Sequence, residues 1–164
     1  MTELARVQDD AHVLLTEIYQ APSPHEQRAR VGKLRPSDAD FERVFVASAV
    51  PSARLAYEAL WAQSPTLRAG PAKMGLVVRA VLAEDFAAPG SGRVAWFPGG
   101  YLKIAALLVP GIPWVCWKLV DEGSREGGIL FDGLTRIDDH WAWFPKPWRA
   151  IAPRTPLAAR HWTE

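Results

Sequence analysis

Three ionisable residues, Lys118, Asp132 and Arg136, lie in segments that also carry large aromatic residues such as Trp114 and Trp143. A carboxylate among aromatic rings can act as a general base, and a lysine or arginine beside it can stabilise negative charge. The same unequal set of charges can instead bind an anionic or polar ligand without any catalysis. Either chemistry requires the fold to place these side chains on one face of a sheet.

Two predicted β-hairpins bring the segments together. A two-residue turn at Asp138–Asp139 pairs Leu134 with Trp143 across the second hairpin. The longer loop EGSREG pairs Lys118 with Asp132, a favourable cross-strand pair because the two charges are opposite. One face of the resulting sheet is almost wholly apolar and collects Val115, Trp117, Leu119, Phe131, Ile137 and Phe144.

The opposite predicted face mixes charges with aromatic rings, and it is the candidate ligand-binding face. Its site residues are Trp114, Lys118, Asp132, Arg136 and Trp143. Two interpretations stay open for this face. It is either a solvated surface whose exposed ion pairs stabilise the fold only weakly, or a half-buried pocket that binds a small polar or anionic ligand.

The stretch HWAWFPKPWRAI, residues 140–151, is rich in tryptophan and proline. Burying one tryptophan removes about 150–250 Å² from water, which stabilises a fold by about 4–6 kcal/mol before the entropy loss is subtracted. We therefore expect a core strand here rather than a recognition surface. Pro145 and Pro147 end that strand because proline cannot continue a central ladder, and Trp148 and Ile151 are expected to anchor the departing chain.

Other familiar chemistry finds no support in the sequence. GSGRVA matches the glycine spacing of a dinucleotide-binding loop, but Pro98 and the glycines after it would end the helix that such a loop requires. The four histidines are scattered and Cys116 is the single cysteine, so a clustered zinc site is not expected. The sequence predicts neither a cofactor nor a metal.

Two halves with different hydrophobic periods predict a single α+β domain over residues 1–164. Residues 2–63 are predicted to be helical, with a clear start signal at Ser37. Residues 72–146 are predicted to form the sheet, and residues 147–164 a tail. Because the helices precede the strands, we expect N-terminal helices packed on a curved antiparallel meander. The strands are expected at residues 73–83, 101–109, 113–121, 128–137 and 140–145.

Composition limits the class of protein. Hydrophobic residues make up 49% of the 164 residues and charged residues 23%, which is typical of a folded domain. The net charge of +1 is spread along the chain, so no nucleic-acid-binding surface is expected. We see no secretory signal, no apolar run long enough to cross a membrane, and no second cysteine for an internal disulfide. These features predict a cytoplasmic protein without a membrane partner.

Three short motifs resemble landmarks of small uncharacterised bacterial proteins: FPGGY at residues 97–101, DGL at 132–134 and WFPKPWR at 143–149. The order of helices followed by a meander is also similar to the nuclear-transport-factor-2-like, or cystatin-like, folds. That resemblance implies a pocket between a curved sheet and its helices, which serves enzymes and binding proteins alike. The chain departs from these folds in having several helices before its first strand.

The expected function is a non-catalytic cytoplasmic binding or protein-interaction module. Its partner would be a small polar or anionic ligand or another protein, and a homodimer stays open. The alternative is a small cofactor-free enzyme with a cone-shaped pocket, in which Asp132 acts as the base.

Overall fold

The computed structural model has helices in the N-terminal half and an antiparallel sheet in the C-terminal half, which confirms the predicted α+β class. It describes residues 1–67, 74–121 and 128–151. The predicted EGSREG loop and the tail beyond residue 151 therefore lie outside the described residues. The helices of the first half are α1 Glu3–Tyr19, α2 Pro24–Gly32, α3 Asp38–Val44 and α4 Val50–Ala62. Within the described ranges, no helix is long and apolar enough to cross a membrane.

The first three helices begin at the side-chain caps that the sequence indicates. The side chains of Thr2 and Ser23 each accept a hydrogen bond from a backbone N–H of the first turn, at 3.1 Å. Ser37 and Asp40 form a reciprocal capping box at the start of α3, with N···O distances of 3.3 and 2.8 Å. These caps satisfy N–H groups that have no partner inside the helix.

The sheet is a four-stranded meander in the order β1-β2-β3-β4. Its strands are β1 Met74–Leu82, β2 Pro113–Asp121, β3 Ile129–Ile137 and β4 His140–Trp143.

The strand predicted at residues 101–109 is wrong. The chain there forms a short helix, α5 Gly100–Lys103, followed by a 3₁₀ turn at Ala105–Leu107. Tyr101, Ile104 and Leu108 are the buried positions, and their spacing of three and four residues is that of a helix rather than the alternation of a strand.

Both faces of the sheet are covered. Helix α1 lies across one face, where the hydroxyl of Tyr19 accepts a hydrogen bond from the indole N–H of Trp117 at 2.9 Å. The segment between β1 and β2 covers the other face together with the residue that follows α3, because the rings of Tyr101 and Phe45 pack against Trp114 at 5.7 and 6.3 Å. The sheet is thus the middle layer of the fold.

A β-bulge in β3 sets the register of the central strands. Leu134 pairs with Val115, but Phe131 pairs with Trp117, so two residues of β3 lie opposite Cys116 alone. One of them is Gly133, whose φ is +90°. A Cβ atom built there would lie 2.0 Å from the carbonyl oxygen of Phe144. The bulge therefore requires glycine, for its backbone conformation and for its lack of a side chain.

The register of β2 and β3 shows that the predicted pairing of Lys118 with Asp132 is wrong. Lys118 lies opposite Leu130, and Asp132 is the other bulge residue. The extra residue also moves every later side chain of β3 to the other face. Arg136 and Trp143 consequently lie on the Trp117 face of the sheet and not on the face of Trp114. The prediction that all five site residues share one face is therefore wrong.

The second hairpin has the predicted register. Leu134 pairs with Trp143 and Ile137 with His140, which leaves Asp138 and Asp139 as the turn. Asp138 takes a positive φ of 52°, a conformation that aspartate tolerates better than most residues do.

The core residues predicted in the stretch 140–151 are buried. Phe144 is fully buried, and Trp143 and Ile151 are only 5% and 4% exposed. After Pro145, the short helix α6 Pro147–Ala150 packs against α4 and α5. The departing chain is therefore anchored to the core.

We expect Trp143→Ala to lower the free energy of unfolding by about 3–5 kcal/mol, because it removes a buried ring that packs edge-on against Trp61. Urea unfolding measures the loss. Trp141→Ala is the matched control and should cost less, since Trp141 is half-buried and packs against Arg136. A loss below about 1 kcal/mol for Trp143→Ala would show that this strand is peripheral.

Gly133→Ala should lower the free energy of unfolding by about 3 kcal/mol or more, because the new methyl group meets backbone atoms and φ is positive. Gly90→Ala is the control, since a Cβ there has nothing within 4 Å. Equal urea midpoints for the two variants would contradict the bulge.

Candidate functional site

A pocket of about 560 Å³ opens where β3 continues past the end of β4. Helix α4 forms one side of it, the free edge of β3 a second, and the segment around α6 a third. We call it the Asp132 pocket. It is lined by Ala56, Tyr57, Leu60, Pro65, Ile129, Leu130, Phe131, Asp132, Trp143, Pro145, Lys146, Arg149 and Ala150.

The local sequence explains why β4 and the described segment after it leave this edge of β3 unpaired. Pro145 and Pro147 have no N–H to donate to a neighbouring strand, so pairing with β3 stops after Phe144. Lys146, between them, takes a left-handed conformation with φ +50°. This residue turns the chain away from β3 and into α6, which packs on α4. The turn leaves the space that becomes the pocket.

The carboxylate of Asp132 is buried at the meeting point of three segments. Its Oδ1 atom accepts hydrogen bonds from the hydroxyl of Tyr101 at 2.8 Å and from the backbone N–H of Lys146 at 2.9 Å. Its backbone carbonyl accepts a third from the indole N–H of Trp143, at 2.9 Å. Among the described residues, no group donates a hydrogen bond to the Oδ2 atom.

Burial changes the acidity of the groups around this carboxylate. It raises the pKa of Asp132 above its usual range, while the hydrogen bonds from Lys146 and Tyr101 counteract part of the rise. It also raises the pKa values of Tyr57 and Tyr101 well above 10, and the negative charge of Asp132 raises them further. Both tyrosines are therefore neutral hydrogen-bond donors. Tyr57 donates to the carbonyl oxygen of Pro145 at 3.0 Å.

The three motifs FPGGY, DGL and WFPKPWR meet at this point. Tyr101 of the first motif and Lys146 of the third bind Asp132 of the second. The Trp148 ring lies directly on Gly100, where a built Cβ atom would come within 2.2 Å of it. A larger residue at position 100 would displace this ring.

The structure brings together two of the five predicted site residues. Asp132 and Trp143 line the pocket. Trp114 is fully buried, and Lys118 packs on the ring of Trp96. Arg136 lines a different pocket, of about 400 Å³, beside the start of α1.

Sequence reasoning missed Tyr57, Lys146 and Arg149 as pocket residues. Lys146 and Arg149 lie in the WFPKPWR motif. From its prolines and tryptophans, that motif predicted only the end of a strand and the residues that anchor the following segment. Both cations are exposed, and both favour the charged form of Asp132. They add positive charge to a pocket whose lining is otherwise largely apolar. Within the described residues, no three His, Cys, Asp or Glu side chains are placed to hold a metal ion.

Comparison with known proteins adds no functional information. No family model matches the chain, and neither a curated protein nor a solved structure does so. The resemblance to nuclear-transport-factor-2-like folds therefore stays a prediction, as does the resemblance carried by the three motifs.

Replacing Asp132 with asparagine should change how stability depends on pH. Because the folded-state pKa of Asp132 is raised, the native protein holds this proton more tightly than the unfolded chain. The wild type should lose stability relative to Asp132→Asn as pH rises from about 4 through the folded-state pKa. Urea unfolding over a pH series measures the difference. The control is Asp139→Asn, whose side chain is 98% exposed; parallel profiles for wild type and Asp132→Asn would contradict the assignment.

Proposed function

We propose that the chain is a non-catalytic binding module, and that the Asp132 pocket holds a small molecule with an apolar body and an anionic group. The observation that carries this proposal is an open, mainly apolar pocket of about 560 Å³ with two cations, Lys146 and Arg149, among its lining residues. Pockets that bind small molecules are commonly 300–1,000 Å³ in volume and have few polar groups.

The charges of the pocket favour an anion at its rim. Lys146 and Arg149 form no ion pair with a carboxylate among the described residues, and the nearby carboxylate of Asp132 is buried with two donors already bound. A ligand carboxylate or sulfonate would therefore meet cations that remain available for charge-assisted hydrogen bonds. A hydroxyl or amide deeper in the ligand would suit the Oδ2 atom of Asp132.

The geometry favours binding over catalysis because the Asp132 carboxylate is already engaged in hydrogen bonds that join the walls of the pocket. Its Oδ1 atom accepts from both Tyr101 and Lys146, and the pocket tyrosine Tyr57 is a neutral donor engaged with Pro145. Among the described residues, the lining contains no histidine or second carboxylate that could pass a proton onward. The raised pKa of Asp132 favours the second candidate, a cofactor-free enzyme in which this residue is the base.

We also propose a cytoplasmic location. Cys116 is the single cysteine of the chain, and burial raises the pKa of its thiol to about 12. A chain with one cysteine forms no internal disulfide, which suits a reducing compartment, where internal disulfides do not contribute to stability.

Anilinonaphthalene sulfonate tests the pocket directly, because it joins an apolar aromatic body to one sulfonate. We expect saturable binding at one site per chain, and the fluorescence of the dye measures it. The double variant Lys146→Gln/Arg149→Gln should bind about tenfold more weakly or worse, since it loses the charge-assisted contacts. The double variant Arg6→Gln/Lys103→Gln changes the net charge equally at exposed positions outside the pocket and should bind like the wild type.

Two further measurements separate the outcomes. Methanesulfonate, which has the anion but almost no apolar body, should not displace the dye at equal concentration. Equal weakening in both double variants would overturn the proposed pocket, because the dye would then report net charge alone. The enzyme candidate is tested on any molecule that copurifies with the protein. Mass spectrometry follows this molecule over time in the presence of the wild type and of Asp132→Asn. A chemical change that only the wild type causes would favour catalysis.

A further inference from the structure

Two cations converge on one aromatic ring, away from the Asp132 pocket. The Nζ atom of Lys118 lies 4.4 Å from the centroid of the Trp96 ring, and the Cζ atom of Arg79 lies 4.6 Å from it. Arg79 is exposed, while Lys118 and Trp96 are half-buried. None of the three lines the Asp132 pocket.

The strands and the following segment position these side chains. Lys118 lies opposite Val77 and Arg79 opposite Cys116, so the two cations are diagonal neighbours on the same face of β1 and β2. Trp96 comes from the segment that crosses this face. Its neighbours Val94 and Phe97 are buried and are joined by a backbone hydrogen bond of 2.9 Å, which fixes the turn.

Within the described ranges, this cation pair has no neutralising carboxylate. Neither Arg79 nor Lys118 forms an ion pair with an acidic residue within the described part of the chain. Among the described residues, the guanidinium of Arg79 donates to the carbonyl oxygen of Val78 alone, at 3.1 Å. Two like charges held on one ring repel each other, and the quadrupole of the ring offsets this only in part.

We propose that Arg79, Lys118 and Trp96 form a binding site for a compact oxyanion, such as a phosphate or a phosphate monoester. Arginine presents several N–H donors in a planar fork that matches phosphate oxygens, and lysine adds a point charge. The indole ring holds both side chains at the site before the anion arrives, which reduces the entropy lost on binding. The anion would then supply the negative charge that the described residues do not place beside these two cations.

Titration with inorganic phosphate, at constant ionic strength maintained with chloride, tests the site by NMR. The indole N–H signal of Trp96, assigned with Trp96→Phe, and the side-chain N–H signal of Arg79 should shift along one saturable curve. Lys118→Gln and Arg79→Gln should each weaken binding about tenfold or more, as expected for the loss of a charge-assisted contact. Lys118→Arg keeps the charge and should retain binding.

Arg6→Gln is the matched control, because Arg6 lies on α1, which covers the opposite face of the sheet. Its titration curve should equal that of the wild type. The Lys146→Gln/Arg149→Gln variant should also bind phosphate normally, so this site and the Asp132 pocket fail or succeed independently. Shifts that stay linear in phosphate, or the same weakening in Lys118→Gln and Arg6→Gln, would overturn the proposal.

Two more probes identify the source of the phosphate. Tighter binding of O-phosphoserine than of inorganic phosphate would indicate a soluble monoester. Cosedimentation with vesicles that contain phosphatidic acid, but not with pure phosphatidylcholine vesicles, would indicate a lipid headgroup, provided that Lys118→Gln abolishes it. Binding of none of the three probes would overturn the site.

Discussion

The two hydrogen bonds that Tyr101 and Lys146 donate to one oxygen of Asp132 are the interaction on which the candidate site depends. They join the segment between β1 and β2, the bulge of β3 and the turn that leads into α6. A buried carboxylate without donors would be strongly destabilising. These two bonds, together with the hydrogen bond from Tyr57 to the carbonyl of Pro145, therefore fix the start of the segment that forms one wall of the pocket.

The part of the fold that the sequence predicts well is governed by local chemistry. The capping box of Ser37 and Asp40 starts α3 because both partners lie within one turn of helix. The turn at Asp138–Asp139 sets the β3–β4 register because a two-residue connection allows only one pairing. In both cases the residues that determine the structure lie within four consecutive positions of the chain.

The part that the sequence does not predict depends on contacts between distant residues. From the sequence, a loop predicted at EGSREG allows more than one register, and Gly133 is compatible with a flat strand as well as with a bulge. The carbonyl of Phe144 decides between them, because it approaches Gly133 too closely for any side chain. Tyr101 was likewise expected in a strand, whereas its place in a helix is what brings its hydroxyl to Asp132.

The register of β2 and β3 also explains why charges expected in one site belong to two. Lys118 lies opposite Leu130 and not opposite Asp132, so the two charges do not neutralise each other across the strands. Asp132 lies in the bulge and binds Tyr101 and Lys146, while Lys118 joins Arg79 on the ring of Trp96. Among the described residues, the cations at the rim of the pocket and those on the face of β1 and β2 form no ion pair with a carboxylate. The two proposed anion sites therefore rest on the same physical reason.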